Sequence, residues 1–199
     1  ERSKSVIEIG RLKKLKDAEA HLHTPAREAA IFDRLSKQNT GPFPTDAIRA
    51  VYREIMSASL SLEGPQKVAY LGPRATFTHM ACMQKFGASA QYIPVNSIKD
   101  VFSEVERGRA HFGVVPIENS SEGTVNYTLD RFLSSPLHIC GEVELRIHHF
   151  LMGRMDNLRK VKRICSHPQS LAQCRDWLRE HLPVDGSVVA GVSNQHVVE

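Results

Sequence analysis

The sequence contains no long hydrophobic run and few cysteines. No apolar stretch approaches the ~20 residues that a bilayer crossing needs, so we expect no membrane partner. Four cysteines in 199 residues, with no CxxC pair, are too few for a disulfide scaffold. Hydrophobic residues make up 41% and charged residues 24%, as in globular proteins, which excludes disordered and collagen-like chains. We therefore expect reduced thiols and a cytoplasmic location.

The sequence also has only a small excess of positive charge. It contains 26 Lys and Arg against 22 Asp and Glu, which gives a net charge of +4. The excess cations lie mostly in the first 16 residues: Arg2, Lys4, Arg11, Lys13, Lys14 and Lys16. No aromatic residue interrupts this run as a base-stacking surface would require, so we expect no nucleic-acid partner. A small carboxylate ligand or a solvated helix face remains as the interpretation.

The first 63 residues have helical periodicity and no strand-like alternation, which predicts an all-α module. The first helix runs from Glu1 to about Lys16. Thr24 is placed to cap a second helix that begins at Pro25 and runs to about Gln38. The breaker at residues 41–44 precedes a third helix, for which Thr45 is the predicted cap. Its apolar stripe is predicted at Ile48, Tyr52, Ile55, Ser59 and Leu62.

Residues 64–67 are predicted to form a linker, because the pattern changes directly after them. Short apolar runs then alternate with helical stretches, which predicts an α/β domain with a mostly parallel sheet over 68–199. The predicted strands are 68–71, 91–95, 112–115, 139–143 and 147–152, with a strand-like run at 187–192. The predicted helices are 78–86, 98–107 and 171–182.

Two residue pairs in the helical module have the spacing of a binding site. Arg2 and Lys13 are eleven residues apart, close to three helical turns, so they share a face and can clamp an anion. Ser59 and Glu63 are one turn apart on the third helix. Spacing alone fits equally well with surface cations, a small packing residue and a helix end.

Three polar loops stand out in the α/β region. They are LGPRATFTH at 71–79, VVPIENSSEG at 114–123 and CSHPQSL at 165–171. Each follows an apolar run and carries hydroxyl groups or backbone donors that suit a carboxylate. The hydroxyl groups can equally cap helices, and the Asn and Gly residues can form turns. The spacing of Cys165, His167 and Cys174 fits no standard zinc site, so we predict no metal.

The segments ERSKSVIEIGRLKK, TPAREAAIFDRL and IRAVYREIMSASLSLE resemble the all-helical chorismate mutase family, from the second half of its long first helix onward. The resemblance implies an intertwined homodimer and a rearrangement that needs no cofactor. It assigns catalytic roles to Arg2, Lys13 and Glu63. It implies that six residues bind chorismate: Arg2, Lys13, Thr24, Glu28, Ser59 and Glu63. Many relatives carry Gln at the position of Glu63, so Glu63 must be protonated to donate a hydrogen bond, and activity is expected to favour acidic pH.

The three polar loops, taken together and in this order, resemble the prephenate dehydratase family. That resemblance implies two α/β lobes around a cleft, similar to periplasmic binding proteins. The residues it places at bound prephenate are Thr76, Thr78, Asn119, Ser120, Ser121, Gly123, Ser166, Gln169 and Asn194.

The two resemblances together cover nearly the whole chain and point to the bifunctional chorismate mutase/prephenate dehydratases of bacterial phenylalanine biosynthesis. They imply that chorismate is converted to prephenate and prephenate to phenylpyruvate. The first alternative is a fragment that binds an aromatic dicarboxylate without turning it over. The second is a basic nucleic-acid binder, which steep salt-dependent retention of DNA or RNA would support. Because a helical pattern is already under way at Glu1 and the chain stops just after a strand-like run, we expect further sequence beyond both ends.

Overall fold

The computed structural model describes most of the chain. The described residues are 2–16, 25–119, 123–153, 157–161, 163–166, 168–182 and 188–190. Their contacts divide the chain into two compact units. The first holds the described residues of Glu1–Ile117 and Val125–Leu145, and the second those of Glu118–Thr124 and Arg146–Glu199. The domain boundaries at residues 63 and 68 stay a prediction.

Three helices form the first part of unit 1. They are α1 (Arg2–Lys16), α2 (Pro25–Gln38) and α3 (Thr45–Glu63), and α1 and α2 both pack against α3. The predicted helical module is therefore confirmed. Pro25 opens α2 at the position where its missing N–H costs nothing. After α2, the side-chain amide of Asn39 donates to the carbonyl oxygen of Phe43 at 2.7 Å, which closes the turn that leads into α3.

The start of α3 differs from the prediction by one residue. Pro44, not Thr45, is the N-cap residue, and no side chain caps the helix. The carbonyl oxygen of Pro44 accepts the first helical hydrogen bonds, from the N–H groups of Ala47 and Ile48. Thr45 lies inside the first turn, and its hydroxyl oxygen accepts from Asn39 Nδ2 at 3.2 Å instead. Thr24, the predicted cap of α2, lies outside the described residues.

The predicted apolar stripe of α3 is partly wrong. Ile55 and Leu62 are 37% and 50% exposed, whereas the buried residues of the helix are Met56, Ser57 and Glu63. The buried face is rotated because α3 contacts more than one surface. It packs against α1 on one side and hydrogen-bonds to residues 88 and 89 on another.

The second part of unit 1 is a parallel sheet with helices on its faces, as predicted. Its strands are β1 (Lys67–Leu71), β2 (Gln91–Val95) and β3 (Phe112–Val114), in the order β2-β1-β3. Its helices are α4 (Phe77–Phe86), α5 (Ile98–Glu106) and α6 (Asn126–Ser134), of which the sequence did not predict α6. Strand β1 is buried on both faces: Val68 and Tyr70 pack with Cys82 and Phe86 of α4. On the other face Ala69 packs with Val101 of α5 and with Ala110.

Unit 2 is smaller. Its elements are β4 (Glu118–Asn119), β5 (Gly123–Thr124), a 3-10 helix (Leu158–Lys160), β6 (Ile164–Ser166), α7 (Pro168–Gln173), α8 (Arg175–His181) and β7 (Val188–Ala190). Strands β4 and β5 pair antiparallel, and β6 and β7 pair parallel. The predicted single helix at 171–182 is two helices, since it is interrupted at Cys174.

The predicted strands at 139–143 and 147–152 are wrong. These residues have no regular secondary structure, although burial alternates from residue 143 to 150 as it does in a strand. Alternation records only which side chains turn inward, whereas a strand also needs a partner for its backbone hydrogen bonds. No such partner strand occurs in the part of the chain that the structure describes. Of the helices in that part, none has the length and apolar character needed to cross a bilayer.

Candidate functional site

The candidate site of the helical module begins with α1. Because α1 is continuous from Arg2 to Lys16, residues 2 and 13 lie on the same side of the helix axis, as predicted. The side chains of Arg2 and Lys13 lie outside the described ones, as does Thr24. The contacts of these three candidate residues therefore stay predictions.

Helix α3 supplies two candidate residues one turn apart. The hydroxyl of Ser59 donates to the carbonyl oxygen of Ile55 at 2.7 Å, which orients its oxygen along the helix. Glu63 is only 9% exposed and lies where α3 crosses α1, against Gly10. Gly10 and Lys13 are neighbours on α1 at i and i+3. The buried carboxyl-bearing residue of α3 thus lies against the part of α1 that carries Lys13.

Glu28 in the first turn of α2 is half-buried beside cations of two other helices. Burial raises the pKa of its carboxyl group, and the positive charges of Lys85 on α4 and Arg53 on α3 oppose that rise. Sequence periodicity gave no sign of these two cations near Glu28, because they come from elements far apart in the chain.

The candidate dehydratase residues of unit 1 lie where β1 leads into α4. Thr76 is the N-cap of α4: its hydroxyl oxygen accepts from the N–H of His79 at 3.3 Å. The same hydroxyl donates to the carbonyl oxygen of Pro73 at 3.0 Å. Thr78 lies in the first turn of α4 and is half-buried. The Thr76 hydroxyl therefore holds the loop, and the first-turn N–H groups of α4 are the donors suited to a carboxylate.

His79 is a residue of this loop motif to which sequence reasoning gave no role. It is buried, and its Nδ1 accepts from the backbone N–H of Ala75 at 3.2 Å. Its ring stacks on Tyr70 and meets Tyr92 edge to face. The one signal in the sequence is its position three residues after the Thr76 cap, which turns the side chain back towards the loop.

The candidate dehydratase residues of unit 2 lie in two places. Asn119 of β4 pairs with Gly123 of β5, and Ser166 ends β6, two residues before the start of α7 at Pro168. Ser120, Ser121 and Asn194 lie outside the described residues, and so does the side chain of Gln169. That these positions share one cleft with Thr76 and Thr78 stays a prediction. Among the described residues, no group of three or more His, Cys, Asp and Glu side chains is arranged to hold a metal ion.

The fold and these positions define a two-part protein. An all-helical module with a buried acidic residue at a helix crossing precedes an α/β region whose polar loops follow parallel strands. A family model described as chorismate mutase type II matches residues 1–64, and one described as prephenate dehydratase matches residues 68–194. The chain therefore belongs to the prephenate dehydratase family, and its helical module is similar to chorismate mutase type II.

Individual relatives agree with this assignment. The chain is 49% identical over 187 residues to a bifunctional chorismate mutase/prephenate dehydratase of Aquifex aeolicus, an alignment that covers 92% of this chain and 51% of the relative. The enzyme of the same name from Stutzerimonas stutzeri is 47% identical over 187 residues, with the same coverage. The chain thus spans about half the length of the curated relatives it matches.

A solved structure supports the fold of the α/β region. The crystal structure of prephenate dehydratase from Staphylococcus aureus superposes with a TM-score of 0.57 at 30% sequence identity. The superposition covers 67% of this chain and 52% of that chain.

Proposed function

We propose that the protein to which this chain belongs converts chorismate to prephenate in its helical module, residues 1–63, and prephenate to phenylpyruvate in the α/β region that begins at residue 68. The observation that carries the first activity is the crossing of α1 and α3. There Glu63 is buried against Gly10 of α1, and Gly10 lies one helical turn before Lys13. Ser59 lies one turn before Glu63 on α3.

The mutase reaction is a [3,3] rearrangement: the ether C–O bond breaks as a new C–C bond forms within one molecule. It needs no nucleophile, so the protein contributes orientation and electrostatic stabilisation. Arg2 and Lys13 hold the two carboxylates, and Glu28 and Ser59 orient the ring. Lys13 and protonated Glu63 donate hydrogen bonds to the ether oxygen as negative charge develops on it. Thr24 completes the set of substrate contacts.

The dehydratase reaction is driven by aromatisation of the prephenate ring. The bond from the ring to its carboxylate breaks, its electron pair enters the ring, carbon dioxide leaves, and the ring hydroxyl departs as water after it gains a proton. Donors for the carboxylates come from the first turn of α4 and from the loops of unit 2. The proposed contacts are Thr76, Thr78, Asn119, Ser120, Ser121, Gly123, Ser166, Gln169 and Asn194.

A homodimer is part of the proposal. Four apolar side chains of α1 face outward: Ile7 is 54% exposed, Ile9 44%, Leu12 53% and Leu15 73%. Exposed aliphatic side chains along one helix favour cover by a second copy of that helix. Light scattering of the full-length protein is expected to give twice the mass of one chain, and a monomer at micromolar concentration would contradict the proposal.

A cytoplasmic location is also proposed. All four cysteines are free thiols, and Cys140 is exposed. Thiols of this kind persist where the surroundings are reducing. Cell fractionation that places the protein outside the cytoplasm would contradict this part of the proposal.

The test of both activities is a pair of assays on the full-length protein, one for loss of chorismate and one for formation of phenylpyruvate from added prephenate. Lys13→Ala should lower the mutase kcat/KM by at least about 100-fold, as expected for a lost electrostatic donor. Asn119→Ala should lower the dehydratase kcat/KM by about 10-fold or more, as expected for a lost hydrogen bond to a charged group. Each variant is the control for the other assay. Binding of chorismate or prephenate without either product would instead support a non-catalytic binding protein.

A further inference from the structure

The loop between β1 and α4 contains one strained residue. Ala75 has a φ of +62°, in the left-handed region that residues with a side chain rarely adopt. A single residue in this region persists only when its surroundings hold it there. The contact that the structure gives to its backbone N–H is the hydrogen bond to Nδ1 of His79, at 3.2 Å.

The imidazole ring that makes this bond is itself fixed by packing. It stacks on Tyr70 of β1 with 5.0 Å between ring centroids and meets Tyr92 of β2 edge to face at 5.5 Å. Tyr92 is held in turn, because its hydroxyl donates to the carbonyl oxygens of Gly87 and Cys82. The ring of His79 therefore connects the loop backbone to the rigid centre of the sheet.

The charges around the ring favour its neutral form, the only form in which Nδ1 accepts a hydrogen bond. The titratable or charged groups that face it are Tyr70 on β1, Tyr92 on β2, Cys82 on α4 and Arg74 in the loop. Burial raises the pKa of both tyrosines and raises that of Cys82 to about 12, so these three groups are uncharged at neutral pH. Burial, and then the positive charge of Arg74, lowers the pKa of His79.

We propose that His79 is a positioning residue for prephenate binding: its neutral imidazole holds the strained backbone of Ala75 and so keeps the Thr76 cap and the first turn of α4 in the conformation that accepts a carboxylate. The inference rests on the proposed dehydratase function of this loop. His79 acts through the backbone and does not touch the substrate.

Two substitutions distinguish the hydrogen bond that His79 accepts from the packing of its ring. His79→Asn places a carbonyl oxygen at the position of Nδ1, so it keeps the acceptor and removes the titration. His79→Phe keeps the stacked ring and removes the acceptor. Circular dichroism of each variant establishes that the protein is folded before its kinetics are compared.

The first measurement is the KM for prephenate of the full-length protein between pH 5 and pH 8. In the wild type, KM is expected to rise as the pH falls through the lowered pKa of His79, because protonation of the imidazole breaks the bond to Ala75. The KM of His79→Asn should stay within about 2-fold of the wild-type value at pH 7.5. It should not rise at low pH. His79→Phe should raise KM about 10-fold at every pH, with kcat within about 2-fold, as expected for one lost hydrogen bond that positions the ligand site.

His111 provides a matched control at the other end of β1. Its Nδ1 accepts from the backbone N–H of Lys67 at 2.9 Å, so the same kind of bond lies away from the loop. His111→Phe should leave the KM for prephenate within about 2-fold of the wild type. An equal rise in KM for His111→Phe and His79→Phe would overturn the proposal. A KM of His79→Asn that still rises at low pH would also overturn it.

The second measurement does not depend on activity. Amide hydrogen exchange at Ala75 is expected to be slow in the wild type and in His79→Asn, and at least about 10-fold faster in His79→Phe. Equal exchange in the wild type and His79→Phe would overturn the role of His79 even if prephenate is turned over. If the wild type does not turn over prephenate, the proposed function fails, and exchange at Ala75 still decides whether His79 holds the loop.

Discussion

A Cβ atom placed on Gly10 would lie 2.9 Å from the Cα atom of Glu63, so α1 and α3 cross with their backbones nearly in contact. This distance is shorter than real Cβ contacts. The atom that the added Cβ would meet belongs to the backbone, so a change of side-chain rotamer cannot relieve the clash. The crossing brings Glu63 close to the face of α1 next to Lys13. The proposed mutase site therefore depends on a glycine that carries no chemistry.

Gly10→Ala is expected to destabilise the helical module. Overpacking costs about 1–3 kcal/mol, whereas Ala in place of Gly within a helix gains only about 1 kcal/mol. Urea unfolding should show a lower free energy of unfolding, and the mutase kcat/KM should fall because Glu63 is displaced. Gly41→Ala is the control, since no described atom lies within 4 Å of the added Cβ. A Gly10→Ala variant as stable and active as the wild type would contradict the observed crossing.

Glu63→Gln is expected to flatten the pH profile of the mutase reaction. A carboxylate cannot donate a hydrogen bond to the ether oxygen, so the proposed mechanism requires the acid form of Glu63. The amide of the Gln variant donates at every pH. Mutase kcat/KM measured from pH 4 to pH 9 should therefore fall with rising pH in the wild type and stay level in the variant. An unchanged profile in the variant would remove Glu63 from the mechanism.

Helix α3 also contacts the last turn of α4 and the segment between α4 and β2. Arg53 donates to the carbonyl oxygen of Gln84 at 3.0 Å. Glu54 accepts from the N–H of Ala88 at 2.8 Å, and Ser57 accepts from that of Ser89 at 3.2 Å. One helix thus provides two proposed mutase residues and a set of hydrogen bonds to the α/β part of unit 1.

Gly87→Ala tests how tightly that contact is packed. A Cβ atom on Gly87 would lie 2.5 Å from Cβ of Ser57, and Gly87 has a φ of +75°. Gly108 has a φ of +67° with no described atom within 4 Å, so Gly108→Ala measures backbone strain alone, about 1–2 kcal/mol. Gly87→Ala should cost a further ~1–3 kcal/mol of unfolding free energy from overpacking.

A double variant checks the cause of that extra cost. Combining Gly87→Ala with Ser57→Gly removes the atoms that clash, so the loss of stability should be smaller than the sum of the two single losses, by about 1–3 kcal/mol. Strict additivity would show that α3 and Gly87 are not in contact in solution.

The sequence predicts structure well where the signals are local. Pro25 marks the start of α2 and the breaker after Gln38 marks its end, because both act on their own backbone. The run at 68–71 predicts a buried strand of a parallel sheet because every residue in it is apolar, and the observed strand is Lys67–Leu71. Ser59 and Glu63 are neighbours by helix geometry alone.

Features that depend on distant partners are not predictable in this way. The apolar face of α3 is rotated because residues 87–89 contact it, and no local pattern records that contact. Residues 143–150 alternate in burial as a strand does, yet no neighbouring strand pairs with them among the described residues. The role of His79 requires the left-handed backbone of Ala75 and the two tyrosine rings, which only the fold brings together.

Glu28→Gln is expected to stabilise the protein and weaken the mutase. Because burial raises the pKa of Glu28, the folded state binds its proton more tightly than the unfolded chain does. This group therefore favours folding most at low pH, and its contribution falls as the pH rises from about 4.3, the unfolded value, through the raised folded value. Above that range the wild type carries a half-buried charge that Lys85 and Arg53 only partly offset.

The neutral amide of Glu28→Gln avoids that cost, so the Tm of the variant should exceed that of the wild type at pH 7.5 and equal it at about pH 4. Glu142→Gln, at an exposed position, is the control and should change Tm little at either pH. The mutase kcat/KM of Glu28→Gln should fall about 10-fold, because a charged hydrogen-bond acceptor for chorismate is lost. Such an exchange of stability for activity is common where a binding site keeps a buried charge. A lower Tm for Glu28→Gln at pH 7.5 would instead mean that the attraction to Lys85 and Arg53 outweighs the cost of burial.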